Sequence, residues 1–248
     1  MATREEVLQA MNLAPTWRLR DRATGLAAPE PDSPDAQDSV APSRASGLAG
    51  DRAARIARLE WKDFAADVEA CVACGLCRTR KRAVPGVGDT QARWMFVGEA
   101  PGAEEDQRGE PFVGQAGRLL DSMLAALGMA RQRDVYIANV LKCRPPNNRN
   151  PEAAEAEACR PYLERQVELV NPRLLIALGK SAASLLLHTD ASIASLRGRL
   201  HRYQGRSLIV TYHPAYLLRT PADKAKVWED LVLARRTLAG LEVAPPAR

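Results

Sequence analysis

ARWMFVGEAPGAEED, residues 92–106, joins a run of strand length to a tight loop: Trp94–Val97 is aromatic and apolar, and Gly98, Pro101 and Gly102 break the run immediately after it. Three more runs of this kind follow at 135–140, 174–178 and 208–212, rich in Val, Ile and Leu. Helical periods separate them. One covers about 114–127, with Leu119, Leu120, Met123, Leu124 and Leu127 on one side and Gly128 as its stop. Another covers about 151–170, with Asn150 as cap and Pro151 in the first turn, and two more cover about 180–188 and 222–238. Strands alternating with helices predict an α/β fold whose mainly parallel, four-stranded sheet is covered on both faces, with function at the carboxyl ends of the strands.

The chain has 248 residues, enough for one full-sized domain with appendages. Residues 1–23 hold a short amphipathic segment, with Val7 and Met11 on one side and Pro15 ending it. Residues 24–50 contain Pro29, Pro31, Pro34 and Pro42, no aromatic residue, and only Leu26, Val40 and Leu48 as larger aliphatics, which predicts a flexible linker. A helical period (Ile56, Leu59, Phe64, Val68) opens the catalytic-sized body at 51–240, and 241–248 form a tail. No run of about 18 apolar residues and no secretory pattern at the start predict a soluble, cytoplasmic protein with no membrane partner. Formal net charge is +5, divided as −2 over residues 1–50 and +7 over the remainder, so the body suits a polyanion.

Polar and Gly-rich groups gather where the strands end. GEAPG (98–102) lets backbone N–H groups approach a ligand beside Glu99, or is an ordinary strand-to-helix turn followed by the acidic residues Glu104, Glu105 and Asp106. Phe112, one of three phenylalanines, lies in the Gly-flanked loop GEPFVG (109–114), where it stacks on a planar base or packs back onto the core. Asn139 interrupts an apolar run, and its donor-plus-acceptor amide matches a nucleobase edge unless neighbouring backbone takes it. His213, alone among three histidines, sits at a strand exit. Leu178-Gly-Lys-Ser181 imitates a phosphate-binding loop, but position 174 is Leu where that loop requires Gly, so Gly179 is read as a strand-to-helix turn.

Five cysteines, an odd number in a reducing compartment, argue against disulfides. Cys71-x2-Cys74 together with Cys143 and Cys159 offers four thiolates for zinc or a 4Fe-4S cluster, which spacing does not separate. Cys77 is either a nearby free thiol or a third member of the first group.

GEAPG, the PFVG loop, NVLKCRPPNNRNP (139–151), the cysteine spacing and HPAYLLR (213–219), in that order, resemble the family 4 uracil-DNA glycosylases, the iron-sulfur branch of their superfamily. The resemblance covers roughly residues 65–240. It implies a three-layer α/β/α sandwich, uracil-containing DNA, single- or double-stranded, as partner, and release of free uracil with an abasic site left behind. By the same resemblance Phe112 stacks on a flipped uracil, Asn139 reads its O4 and N3 edge, and the backbone at Glu99 and Ala100 contacts the base. His213 stabilises the charge developing on O2, Glu105 crowds the pyrimidine C5 against thymine, and Glu99 positions the attacking water. Leu217 fills the gap in the duplex, Arg219 meets phosphate, and Cys71, Cys74, Cys143 and Cys159 hold a 4Fe-4S cluster with Cys77 outside the set. CRPPNNRNP lacks the His that ends the basic loop of a uracil-trapping branch, which implies turnover.

The chain is expected to be a monomer, and two other readings compete: a metal-binding nucleic-acid module without catalysis, and an enzyme-like domain that docks on a replication or repair protein through residues 3–20. LQAMNLAPTWRLR (8–20) resembles the N-terminal segment of the psi subunit of the bacterial clamp loader.

Overall fold

The computed structural model describes residues 45–243. The amphipathic segment, most of the linker and the end of the tail lie outside the described residues. Helix α1 (Ala45–Ile56) starts inside the stretch read as linker, and α2 (Trp61–Glu69) follows it. The sheet has six strands, not four: β1 (Val87–Gly88), β2 (Trp94–Gly98), β3 (Val135–Asn139), β4 (Leu174–Leu178), β5 (Leu200–Tyr203) and β6 (Arg206–Thr211), in spatial order β1-β3-β2-β4-β6-β5. The four expected strands form the parallel centre, and β1 and β5 are antiparallel edges. Two-residue β1 and polar β5 carry no apolar run, which is why periodicity misses them.

Alternation divides the centre into two faces. Trp94, Phe96, Val135, Ile137, Leu174, Ile176 and Ile209 meet α4 (Gln115–Ala126) and α9 (Lys224–Val243) through Leu120, Leu124, Val227, Leu231 and Leu238. Met95, Val97, Tyr136, Ala138, Leu175, Ala177, Leu208 and Val210 meet α5 (Ala153–Val170), α6 (Lys180–Leu187) and α7 (Ile193–Leu196). Strands buried on both faces become near-continuous apolar runs, the signal that makes them legible. The α5 start differs from expectation: Glu152, not Asn150, is the cap, with Glu155 accepting the Glu152 N–H at 2.9 Å, and Pro151 precedes the helix.

A third small core of Ile56, Phe64, Val68, Ala83 and Tyr162 packs α1 and α2 on α5. The Tyr162 hydroxyl donates to Asp67 at 2.6 Å, and Arg55 pairs with the same carboxylate. This packing brings the segment after α2, which bears Cys71, Cys74 and Cys77, against the part of α5 that bears Cys159.

Candidate active site

Parallel register sets Gly98 directly beside Asn139 at the ends of β2 and β3. A Cβ on Gly98 would stand 2.4 Å from Asn139 Oδ1 and 2.6 Å from Phe112 Cζ, so only glycine lets the amide and the aromatic ring converge there. They border a cavity of about 520 Å³ lined by Glu99, Ala100, Glu105, Phe112, Asn139, Arg149, His213 and Arg219, among others. Seven of the expected site residues therefore share one space, all but Leu217 of the non-cysteine set.

The loop after β2 runs into α3 (Ala103–Arg108). Glu105 and Asp106, acidic residues that could simply have faced solvent, are both tied down. Glu105 accepts the N–H groups of Gly102 at 3.1 Å, Val113 at 2.9 Å and Gly114 at 3.3 Å, tying the GEAPG loop to the PFVG loop. Asp106 is buried and accepts the Lys81 N–H at 2.9 Å. Phe112 is buried, with φ of +55°, and its ring lies 5.4 Å from the His213 imidazole at 29°. No bond from within the described residues occupies the buried Asn139 amide, whose polar edge faces the cavity.

His213 caps α8 (Pro214–Arg219): its Nδ1 accepts the Ala215 N–H at 3.1 Å, which leaves the ring proton on Nε2. Burial, reinforced by nearby Arg219 and only partly countered by Glu105, pulls its pKa down to about 4. At neutral pH the imidazole is an uncharged donor. Gly179, with φ of +92°, makes the strand-to-helix turn expected of it and leaves room for His213, whose Cβ would lie 2.9 Å from an added methyl.

Leu217 does not reach the cavity. It is 1 % exposed and packs in the core with Leu120, whereas Leu218 is 43 % exposed beside exposed Arg219. The His213 cap fixes the rotation of α8, and that rotation turns Leu217 inward.

Arg149, in the cavity wall, and Lys142, buried behind Asn139, are residues the sequence does not single out. Arg149 lines the cavity and is held by Glu155 through bonds of 2.9 and 2.6 Å. Fully buried Lys142 donates to the Asn139 carbonyl at 2.7 Å and to Gln166 Oε1, and Gln166 donates in turn to the Tyr136 hydroxyl at 3.0 Å. Burial pulls Lys142 down to about 8. Arginines and lysines are ordinary in polar loops, so composition gives no signal for either.

All five cysteines line one small hollow between α2, α5 and the segment after β3. Two cations and a backbone amide donate to it: Arg80 to Cys143 Sγ at 2.9 Å, Arg52 to Cys71 Sγ at 3.4 Å, and the Lys142 backbone N–H to Cys159 Sγ at 3.2 Å. Burial raises Cys74 and Cys143 and pushes Cys159 up to about 12. Among the described residues no three His, Cys, Asp or Glu side chains stand close enough to grip a single ion.

A second cavity, about 530 Å³, opens between α5, α6 and the β5–β6 hairpin. Arg160 there is taken by Glu157 and Glu164, so no reactive set converges on it.

A family model described as the uracil DNA glycosylase superfamily matches residues 85–232. Among curated proteins, the type-4 uracil-DNA glycosylase of Pyrobaculum aerophilum is 47 % identical over 174 residues, 67 % of this chain and 88 % of that protein. The type-4 uracil-DNA glycosylase of Archaeoglobus fulgidus is 44 % identical over 68 % of this chain and 88 % of its own length. That of Thermotoga maritima is 44 % identical over 68 % and 89 %.

Proposed function

Because the chain belongs to the uracil DNA glycosylase superfamily, and within it to the type-4 enzymes, we infer that it extrudes uracil from DNA and hydrolyses the N-glycosidic bond, releasing the free base. The observation that carries this reading is the shared cavity in which the Asn139 amide, the Phe112 ring and the His213 Nε2 donor converge.

Extrusion of a base costs a few kcal/mol, which stacking on Phe112 and edge bonds to Asn139 offset. Uracil offers an O4 acceptor and an N3–H donor, which one amide satisfies with its NH2 and C=O together; cytosine reverses both. As the bond breaks, the sugar gains oxocarbenium character and the base gains negative charge. The Nε2–H of neutral His213 donates to that charge at O2 without first giving up a proton of its own. Glu99 orients the water that attacks the sugar. Arg219 and Arg149, at the cavity edge, meet backbone phosphate. Leu218, not Leu217, is the side chain free to enter the vacated stack.

The thiolates Cys71, Cys74, Cys143 and Cys159 are our proposed holders of a 4Fe-4S cluster. The guanidinium groups of Arg80 and Arg52, which donate to Cys143 Sγ and Cys71 Sγ, support an anionic cluster held by thiolates there. When bound, that cluster supplies iron–sulfur bonds tying residues 71–74 and α5 to the segment that follows Asn139. Cys77 lines the same hollow and remains outside the proposed set. Docking of residues 3–20 on a replication or repair protein in the cytoplasm stays a proposal that rests on sequence alone.

The test is release of uracil from a single-stranded oligonucleotide containing one uracil, read as strand scission after abasic-site cleavage. No scission at stoichiometric enzyme would leave the non-catalytic module as the correct reading. Anaerobically purified protein should contain iron and sulfide, be lost as a holoprotein on Cys143→Ser, and survive Cys77→Ser. Stoichiometric zinc in colourless, active protein would overturn the cluster.

A further inference from the structure

Phe112 has the left-handed φ of +55° that a bulky residue with a Cβ rarely adopts, yet it is buried and its ring borders the cavity. Such a conformation persists only where the surroundings over-determine it. Two charged side chains grip the loop from opposite polar directions. Glu105 takes the N–H groups of Val113 and Gly114. Arg131 takes the carbonyls: its Nη1 donates to Pro111 O at 2.9 Å, and its Nη2 donates to Phe112 O and, at 3.4 Å, to Gly117 O.

The arginine is itself held in place. Its Nε donates to Asp121 Oδ1 on α4 at 2.5 Å, and its side chain is 22 % exposed. Its backbone carbonyl lies where a Cβ on Gly88 of β1 would stand only 2.9 Å away, so the edge strand packs tightly on this turn. A Cβ on Gly117 would stand 1.7 Å from the Phe112 carbonyl oxygen, so glycine there lets the loop settle onto the first turn of α4.

We propose that Arg131 is a positioning residue for base excision: its guanidinium fork holds the Phe112 backbone in the left-handed conformation that presents the ring to the extruded uracil. The proposal rests on the reading of Phe112 as the base platform. Arg131 is absent from the cavity lining, so its action passes through Phe112. Lysine cannot replace it, because one ammonium lacks the planar fork that reaches two successive carbonyls and a carboxylate at once.

The experiment is a double-mutant cycle on the full chain with Arg131→Met, Phe112→Ala and the pair, read as single-turnover uracil release from a single strand at saturating enzyme. Misplacement of a positioning group by about 1 Å costs on the order of 100-fold, so Arg131→Met should slow release about 10- to 100-fold, with Arg131→Lys recovering only part. The double variant should be no slower than Phe112→Ala alone, because coupled residues do not add. Binding of a uracil-free strand should be unchanged, a result that general unfolding would not give. If Arg131→Met fails to fold, Asp121→Ala, which removes only the partner of Nε, should show a smaller loss with the same non-additivity. Losses that add in the double variant, or a wild-type rate in Arg131→Met, would overturn the positioning role alone. A wild-type rate in Phe112→Ala would instead remove the platform, and this proposal with it.

Discussion

At the scale of single residues, His213 owes its chemistry to one hydrogen bond and to burial. The Ala215 N–H occupies Nδ1, so the donor facing the cavity is Nε2–H, and a pKa of about 4 keeps the ring neutral through the physiological range. His213→Ala should therefore slow the chemical step about 100-fold or more, as loss of one preorganised donor does. The wild-type single-turnover rate should show no inflection near pH 6.5 from this group. Stability carries the opposite signature. The unfolded chain takes up a proton near pH 6.5 that the folded protein resists until about 4, so this residue destabilises the fold progressively as pH falls through that window. Denaturation at pH 7 and pH 5 should show a smaller pH effect in His213→Ala than in wild type; an equal effect would mean the imidazole is not held neutral. If Asn139 reads the base as proposed, Asn139→Asp removes the donor to O4 and should lower uracil release well beyond a packing change, with weak cytosine release as a permitted gain. Matched single-turnover assays on uracil and cytosine strands decide it, and wild-type uracil release would remove Asn139 from the base-reading role. Both residues are legible in the sequence because each is polar where packing asks for apolar. Arg131 and Lys142 are not, since what distinguishes them is which distant carbonyl they reach.

At the scale of elements, α8 shows where motif reading stops. HPAYLLR offers two adjacent leucines, and the choice between them depends on helix rotation, which the His213 cap and Pro214 in the first turn determine. Leu217 faces the core and Leu218 faces out. Leu217→Ala should cost about 2–5 kcal/mol of stability, as for a buried leucine elsewhere, with thermal denaturation as the measurement. Leu218→Ala should leave stability nearly unchanged and slow excision from duplex more than from single strands, because only a duplex has a stack to fill. Equal effects of Leu218→Ala on both substrates would leave the gap to another side chain. The four central strands were predictable for the same reason that the edges were not: burial on two faces writes a continuous apolar run, whereas β1 holds only Val87 and Gly88 and β5 alternates with exposed and charged residues. The α5 cap misleads because Asn150-Pro151 is a good start signal, and the Glu152–Glu155 pair two residues on is the one used.

At the scale of the whole molecule, the question is how much chain the catalytic body needs. Composition places the boundary near residue 50, and the contacts of α1 tie the chain just after that point to the body. The compact unit runs from Arg44, and α1 contributes Ile56, fully buried against Phe64 and Tyr162, and Arg52, which donates to Cys71 Sγ and to Ala158 O at 2.9 Å. Arg52 also lies over the Tyr162 ring, 5.1 Å from its centroid. Helix α1 is thus part of the wall around the thiols, even though only Ile56 of its aliphatic residues falls in the period that the sequence displays. Two truncations test whether α1 belongs to the body. Removal of residues 1–43 should leave single-turnover excision on short oligonucleotides within about two-fold of the full chain, inside the usual scatter for independent segments. Removal of residues 1–58 deletes Arg52 and Ile56, uncovers Phe64 and Tyr162, and takes one cation from the thiolate set. It should lower the melting temperature by several degrees, since a buried isoleucine alone is worth about 2–5 kcal/mol, and it should lower the iron content of the isolated protein. Equal iron and equal melting temperature for the two truncations would show that α1 is an appendage and that the body begins at α2.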